Sequence, residues 1–426
     1  MMFQVLKVFT LFATAKLGTF AFTAIIAYSF GIEVLGVTMT TLSVCIGAVL
    51  ISKFGMDLAL IKNCAICYAD QEFDKFKAYI YLSSKLILRN SLAISMILLV
   101  FVFFIQDPLL KNQLFVVVFL YPLFSMLTIL GSVLKAIGKP EMAASTDIGF
   151  VTLLLSLTIF ALDGTSLAIL PEYIYPILFT VVLFLLITIS ICTSALRGKS
   201  NTRSPLSNDE RILFKASLFD YFVPGFMHYL IQWGGVLIIS VLLSSEEVGK
   251  FSAAQRLSYL VNFILIVANS IVSPRFAVLY RDKNLKKIED LAVKSSTLMA
   301  LFSIVTAVVI AIFSSHLFAF LGVEVSMTIL YILISGQLIN VSTGSVSLLL
   351  NMTGHEKDMR NVMCFSALAT VILLLILVPL LGSFGAAISL SVGLGLQNIL
   401  ATIKVYQALG VKSLPKALGK LFYGET

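Results

Sequence analysis

The chain has 426 residues, 59% of them hydrophobic and 12% charged, with a mean hydropathy of +1.02 and a formal net charge of +8. Soluble domains carry about 25% charged residues, so the composition excludes a soluble globular protein and implies a polytopic membrane protein. The sequence lacks the ten-residue alternating segments of an outer-membrane barrel, and it has no basic soluble domain with which to bind nucleic acid.

Twelve apolar stretches read as membrane spans: 8–30, 34–61, 86–105, 112–135, 142–162, 172–195, 215–243, 248–274, 295–314, 325–351, 361–381 and 384–408. The first is too long for the core of a signal peptide and is interrupted by Lys16, so it reads as a retained helix. Of the 30 Lys and Arg, 26 fall on one set of connections, two on the other and two inside spans. That asymmetry predicts that both termini lie in the cytoplasm. The connections on the opposite side are too short to hold a catalytic domain.

The polar segment RGKSNTRSPLSNDERILFK, from Arg197 to Lys215, reads as a flexible linker between two halves. The expected organisation is an N-terminal six-helix bundle over 1–196, a linker over 197–214, a C-terminal six-helix bundle over 215–408 and a cytoplasmic tail over 409–426. Four short matches support a repeat. EVLGVTMT from Glu33 pairs with EVGKFSAA from Glu247, and YADQEFDKFK from Tyr68 with YRDKNLKKIE from Tyr280. KAIGKPEMA from Lys135 pairs with NMTGHEKDM from Asn351, and LDGTSLAI from Leu162 with LGSFGAAI from Leu381. The offset stays between 212 and 219 residues, which predicts halves related by an axis along the membrane normal, with the substrate site between them.

Few residues can carry chemistry. Gln255 and Arg256 lie about nine residues inside span 8, and Lys16 about eight residues inside span 1. An arginine at such a depth costs roughly 2.5–3.5 kcal/mol to insert, so it points at water, an anion or a protein partner. Two cations near the midplane favour phosphate or an acidic sugar, and arginine binds phosphate bidentately. The competing readings are an ion pair with a buried carboxylate, or, for Lys16, snorkelling to the interface. His228, midway along span 7, is either a packing residue or a group that cycles its proton near neutrality. Pro224-Gly225 in the same span is a candidate hinge or a static kink. Asp57, Asp147 and Asp220 sit near the cytoplasmic ends of spans, as candidates for proton or sodium coupling or as partners of nearby lysines. Gln232, Asn262, Asn269, Gln337, Asn340 and Gln397 are scattered through the spans and serve either helix–helix hydrogen bonding or a polar cavity.

No catalytic constellation, P-loop or HExxH motif is present; the segment GHEKDMR at 354–360 is not one. Cys64 and Cys67 have CxxC spacing without a second pair or a nearby histidine, so no metal site or other cofactor is expected.

EVGKFSAAQRLSYL opening span 8, SPRFAVLYRDKNLKKIEDL after it, LLLNMTGHEKDMRNV after span 10 and the six-plus-six layout together carry a resemblance. The chain resembles the oligosaccharidyl-lipid flippases, the O-antigen and capsule repeat-unit flippases, of the multidrug/oligosaccharidyl-lipid/polysaccharide exporter superfamily. The resemblance implies an all-α, MATE-like fold of two six-helix bundles that works by alternating access and is not an enzyme. It implies a polyprenyl-diphosphate-linked oligosaccharide as substrate, moved to the periplasmic leaflet, with membrane lipids, a polysaccharide polymerase and chain-length proteins as partners. Arg256 matches a cavity-lining cation of such flippases, and Lys16 matches less closely. The alternatives are an ion-coupled exporter of small molecules, which in this superfamily relies on buried carboxylates, and a membrane-embedded polysaccharide polymerase.

Overall fold

The computed structural model describes residues 14, 18–163, 170–197, 206–320 and 323–423. These residues are mostly helical, with no strand among them. Ten helices are long and apolar enough to cross a membrane, and two shorter apolar helices, Gly18–Phe30 and Ile148–Leu162, complete a set of twelve apolar segments among the described residues. The chain is therefore a multi-pass membrane protein.

The helices run in chain order as α1 (Gly18–Phe30), α2 (Ile32–Lys53), α3 (Met56–Ala69), α4 (Phe73–Phe103), α5 (Pro108–Ala136), α6 (Pro140–Ala144), α7 (Ile148–Asp163) and α8 (Ile174–Arg197). They continue as α9 (Asn208–Leu242), α10 (Ser245–Ser258), α11 (Phe263–Arg281), α12 (Leu285–Phe320) and α13 (Met327–Ser342). The last four are α14 (Val346–Met352), α15 (Glu356–Leu381), α16 (Ser383–Leu409) and α17 (Lys416–Tyr423).

Local chemistry sets several of these ends. Asp107 caps α5 by accepting from the backbone N–H groups of Leu109 (2.8 Å) and Leu110 (3.1 Å), an arrangement worth about 1 kcal/mol. A reciprocal capping box starts α9: Ser207 N–H donates to Glu210 Oε2 at 2.8 Å, and Glu210 N–H donates to Ser207 Oγ at 3.1 Å. This box starts α9 at Asn208, ahead of residue 215, where the apolar run alone places span 7.

Four spans expected to be continuous are interrupted, span 5 among them at 145–147 between α6 and α7. Span 2 breaks between α2 and α3 at Phe54 (φ +43°) and Gly55 (φ +78°). A Cβ on Gly55 would lie 2.4 Å from the Leu218 carbonyl oxygen, so both the backbone angle and the close approach of α9 require glycine there. Phe54 stacks on Phe222 of α9 with ring centroids 4.4 Å apart. Span 8 breaks at a 3₁₀ turn, Tyr259–Asn262, between α10 and α11. Span 10 breaks between α13 and α14 at Thr343–Ser345. Span 3 is longer than its apolar run: α4 has 31 residues, about 46 Å of helix against a hydrocarbon core of about 30 Å.

The chain forms two compact units. One takes in Val37–Phe226 with the segment up to Phe30, and the other takes in Met227–Thr426 with Gly31–Gly36. In the first, the cores of α2, α5 and α8 are knitted by polar groups. Ser52 and Ser125 share a hydrogen bond of 2.8 Å, and Tyr175 Oη donates to the Thr38 carbonyl at 2.8 Å. In the second, α16 packs against both α13 and α15. A cluster that includes Val272, Phe276, Ile288, Leu350, Met359 and Val405 closes one end. The first turn of α2 joins this second unit through backbone contact: a Cβ on Gly36 would lie 1.7 Å from the Ser245 carbonyl oxygen, and one on Gly249 2.1 Å from that of Ile32.

Candidate functional site

The interior of the second unit holds a cluster of hydrogen-bonded polar side chains. It is built from the second half of α9, the end of α10, the 3₁₀ turn, α13 and α16. Gln255 is 2% exposed, and its Nε2 donates to the Gln232 carbonyl at 3.2 Å. Tyr259 Oη donates to the same carbonyl at 3.3 Å. A helical carbonyl has two lone pairs, so Gln232 accepts these side chains beyond its helical bond. From the 3₁₀ turn, Asn262 Nδ2 donates to Gln337 Oε1 of α13 at 3.0 Å. A cavity of about 20 Å³ lies among Gln232, Gln255, Tyr259, Gln337 and Ser391, which is room for a water molecule or so.

Arg256 is half-buried at the edge of this cluster, two residues before the end of α10. Its guanidinium carbon lies 4.4 Å from the Trp233 ring centroid and 5.8 Å from that of Tyr259. Both are within cation–π range. Tyr259 reaches it because residues three apart share a helix face. No carboxylate among the described residues pairs with Arg256. The acids of this unit lie at or near helix ends: Glu33 is in the first turn of α2, Glu246 and Glu247 begin α10, Asp282 follows α11, Glu289 and Asp290 belong to the first two turns of α12, and Glu356 and Asp358 begin α15. Glu324 lies in the connection before α13, and Glu425 lies outside the described residues. Rings and neutral amides therefore surround the arginine, and the arrangement suits an anion that brings its own negative charge.

The other candidate residues are dispersed. Lys16 lies outside the described residues. His228 is exposed on α9, next to the buried Tyr229. Pro224 and Gly225 sit inside an α9 that runs unbroken from Asn208 to Leu242, and the border between the two compact units follows directly, at Phe226 and Met227. Proline has no N–H to give the Asp220 carbonyl one turn earlier.

Asp57 belongs to α3, which is not among the helices apolar enough to cross a membrane. It pairs with Lys53 at 3.2 Å across the α2–α3 break and accepts from Leu58 N–H at 3.0 Å. Burial raises its pKa, but the Lys53 charge and these hydrogen bonds outweigh burial and hold the carboxyl below the usual aspartate range. Asp147 does not lie several residues inside a span. The chain forms the short α6 and restarts at Ile148, which leaves Asp147 exposed in the capping position, accepting from Gly149 N–H at 2.9 Å. Asp220 is exposed on α9. Cys64 and Cys67 are buried in α3, and burial pushes the Cys64 thiol up to about 12, far from the thiolate needed for redox or metal chemistry.

Sequence reasoning alone did not find the roles of Trp233 and Tyr259. The signal for Tyr259 is its spacing of three from Arg256; Trp233 offers only its rarity, as the one tryptophan of the chain.

No protein-family model matches the chain, and no curated protein does. Solved structures do. An inward-facing multidrug resistance MATE family transporter of the MOP superfamily matches with a TM-score of 0.74 at 14% identity, covering 94% of each chain. The lipid II flippase MurJ in an inward closed conformation matches with a TM-score of 0.70 at 14% identity, covering 93% of this chain and 87% of that one. The MATE multidrug transporter DinF-BH matches with a TM-score of 0.61 at 18% identity, covering 94% of each. The fold is MATE-like.

Proposed function

We propose that the chain is a flippase for a polyprenyl-diphosphate-linked oligosaccharide repeat unit, serving surface polysaccharide (O-antigen or capsule) biosynthesis. The observation that carries this reading is Arg256, a cation inside the second unit, held by Trp233 and Tyr259 and faced by no carboxylate among the described residues. A diphosphate would dock there by charge-assisted hydrogen bonds. Lys16 and a protonated His228 would add positive charge, and Gln255 would orient the arginine's backbone. The lipid tail would stay in the bilayer. The unit border beside Pro224-Gly225 supports bending of α9 at that point as the step that alternates access. The resemblance to the flippases implies an inner-membrane location and the Lys and Arg asymmetry supports cytoplasmic termini, so the cargo would move from the cytoplasmic to the periplasmic leaflet. A polysaccharide polymerase and chain-length proteins would act on the product, and the chain itself would not be an enzyme.

The test is complementation of a strain lacking the flippase, with surface polysaccharide as the readout and membrane-extracted protein level as the control. Arg256→Ala is expected to lose polysaccharide at normal protein level, and Arg256→Lys to keep part of it. Full polysaccharide from Arg256→Ala would remove the arginine from the mechanism.

A second reading has its own support. Two of the structural neighbours named above are multidrug transporters, so an ion-coupled exporter of small molecules fits the same fold. Its proton or sodium site would fall on Asp57, Asp147 or Asp220, all in the first unit. Drug-susceptibility assays separate the two, because resistance that depends on Asp57 rather than on Arg256 belongs to the exporter.

A further inference from the structure

The segment after α16 is not a loose tail. Helix α16 ends on Gly410, in the left-handed region at φ +66°, and the chain then packs tightly, with Val411 and Ser413 both buried. The Lys412 N–H donates to Glu289 Oε2 of α12 at 3.2 Å, and the Ser413 N–H donates to Tyr423 Oη at 3.3 Å. The Tyr423 ring lies 5.0 Å from that of Tyr406 on α16. These contacts fix α17, with its Tyr423 side resting on the unit.

On the helical wheel the face turned away from Tyr423 is apolar. Leu418 and Phe422 are each 42% exposed and Leu421 is 85% exposed. Lys416 and Lys420 flank Tyr423, and both are exposed. Glu289 places α17 beside the start of α12, where Lys283, Lys286 and Lys287 are exposed as well. The acids at that end are Glu289, taken by the Lys412 N–H; Asp282, paired with Arg281 at 3.1 Å; the exposed Asp290; and Glu356 and Asp358 at the start of α15, where Asp358 pairs with Lys404 at 4.0 Å and Lys357 and Arg360 add positive charge. Positive charge is in excess around an exposed apolar strip that sits at the end of a membrane-crossing helix.

We infer that α17 is an interfacial helix that binds anionic phospholipid, with Leu418, Leu421 and Phe422 entering the boundary between headgroups and acyl chains while Lys416 and Lys420 contact the headgroups. The occupant is the bilayer surface because the helix sets an apolar strip against a lysine-bearing face. Only six residues separate α17 from the end of α16, at the level where a membrane span leaves the bilayer. The inference does not depend on which cargo the protein moves.

The test is hydrogen–deuterium exchange of the full chain in nanodiscs of phosphatidylglycerol, in nanodiscs of phosphatidylcholine and in detergent, following the amides of 416–423. The inference expects slowest exchange in phosphatidylglycerol, by roughly ten-fold or more over phosphatidylcholine for two lysines at an anionic surface. Lys416→Glu/Lys420→Glu should erase the difference between the lipids, and Leu421→Glu should speed exchange in both. Equal exchange in the two lipids would overturn the inference. So would equally slow exchange in detergent, which would mean that protein, such as a second copy of the chain, covers the strip. Unchanged exchange elsewhere in α16 shows that the variants remain folded.

Discussion

The Arg256 guanidinium carbon lies 4.4 Å from the ring centroid of Trp233, so the only tryptophan of the chain reports directly on the residue proposed to hold the substrate phosphate. Intrinsic fluorescence should therefore change when a polyprenyl diphosphate is titrated into purified protein. The change should be absent in Arg256→Ala. Trp233→Ala removes a cation–π contact of roughly 0.5–2 kcal/mol. It should weaken apparent affinity for the diphosphate by a few-fold to about thirty-fold without abolishing binding, as measured by competition with a labelled lipid. Unchanged affinity would separate the ring from the site.

Asn262 and Gln337 tie the 3₁₀ turn to α13. Single alanine variants and the double variant should show a coupling near 0.6 kcal/mol and at most about 1.7 kcal/mol, as for other polar contacts between membrane helices. Unfolding of the four proteins in detergent measures it, and strict additivity would show that the turn does not need the bond.

Gly55 and Gly138 share nearly the same backbone, at φ +78° and +75°, but a Cβ on Gly138 meets nothing within 4 Å. Gly138→Ala should cost only the left-handed penalty of roughly 1–2 kcal/mol. Gly55→Ala must also push α9 off the α2–α3 break and should cost clearly more, read as a larger fall in the thermal midpoint. Equal midpoints would mean that α9 moves aside without strain.

The pH dependence of Asp57 has a definite sign. Its folded carboxyl lies below its unfolded value of about 3.9, so the stabilisation is complete above that value and is lost as pH falls through the folded one. The side chain is 30% exposed, which limits the contribution to below about 1 kcal/mol. Asp57→Asn should flatten the fall in thermal midpoint below roughly pH 4.5 and leave neutral-pH transport intact under the flippase reading. Loss of transport at neutral pH would favour the exporter.

The helical architecture was legible because apolar runs and the side on which Lys and Arg collect are written along one dimension. The breaks were not. Tyr259–Asn262 contains neither proline nor glycine, and the turn there is held by Gln232 and Gln337 from other helices. Arg256 was legible as a costly residue, yet its ring partner depends on the register between α9 and α10, which no periodicity encodes. Asp147 shows the effect of a boundary error: a start displaced by one and a half turns makes a helix cap read as an acid a few residues inside a span.

Contact between Gly36 and Ser245 also sets an order in time. The first turn of α2 leaves the ribosome roughly two hundred residues before the segment it packs against. At about 5–20 residues per second, that is a wait on the order of ten to forty seconds. During biosynthesis the glycine face of α2 must therefore be tolerated by lipid or shielded by the insertion machinery. A nascent chain arrested before α10 exposes that face, which makes it a natural mark by which quality control can recognise the half-made protein.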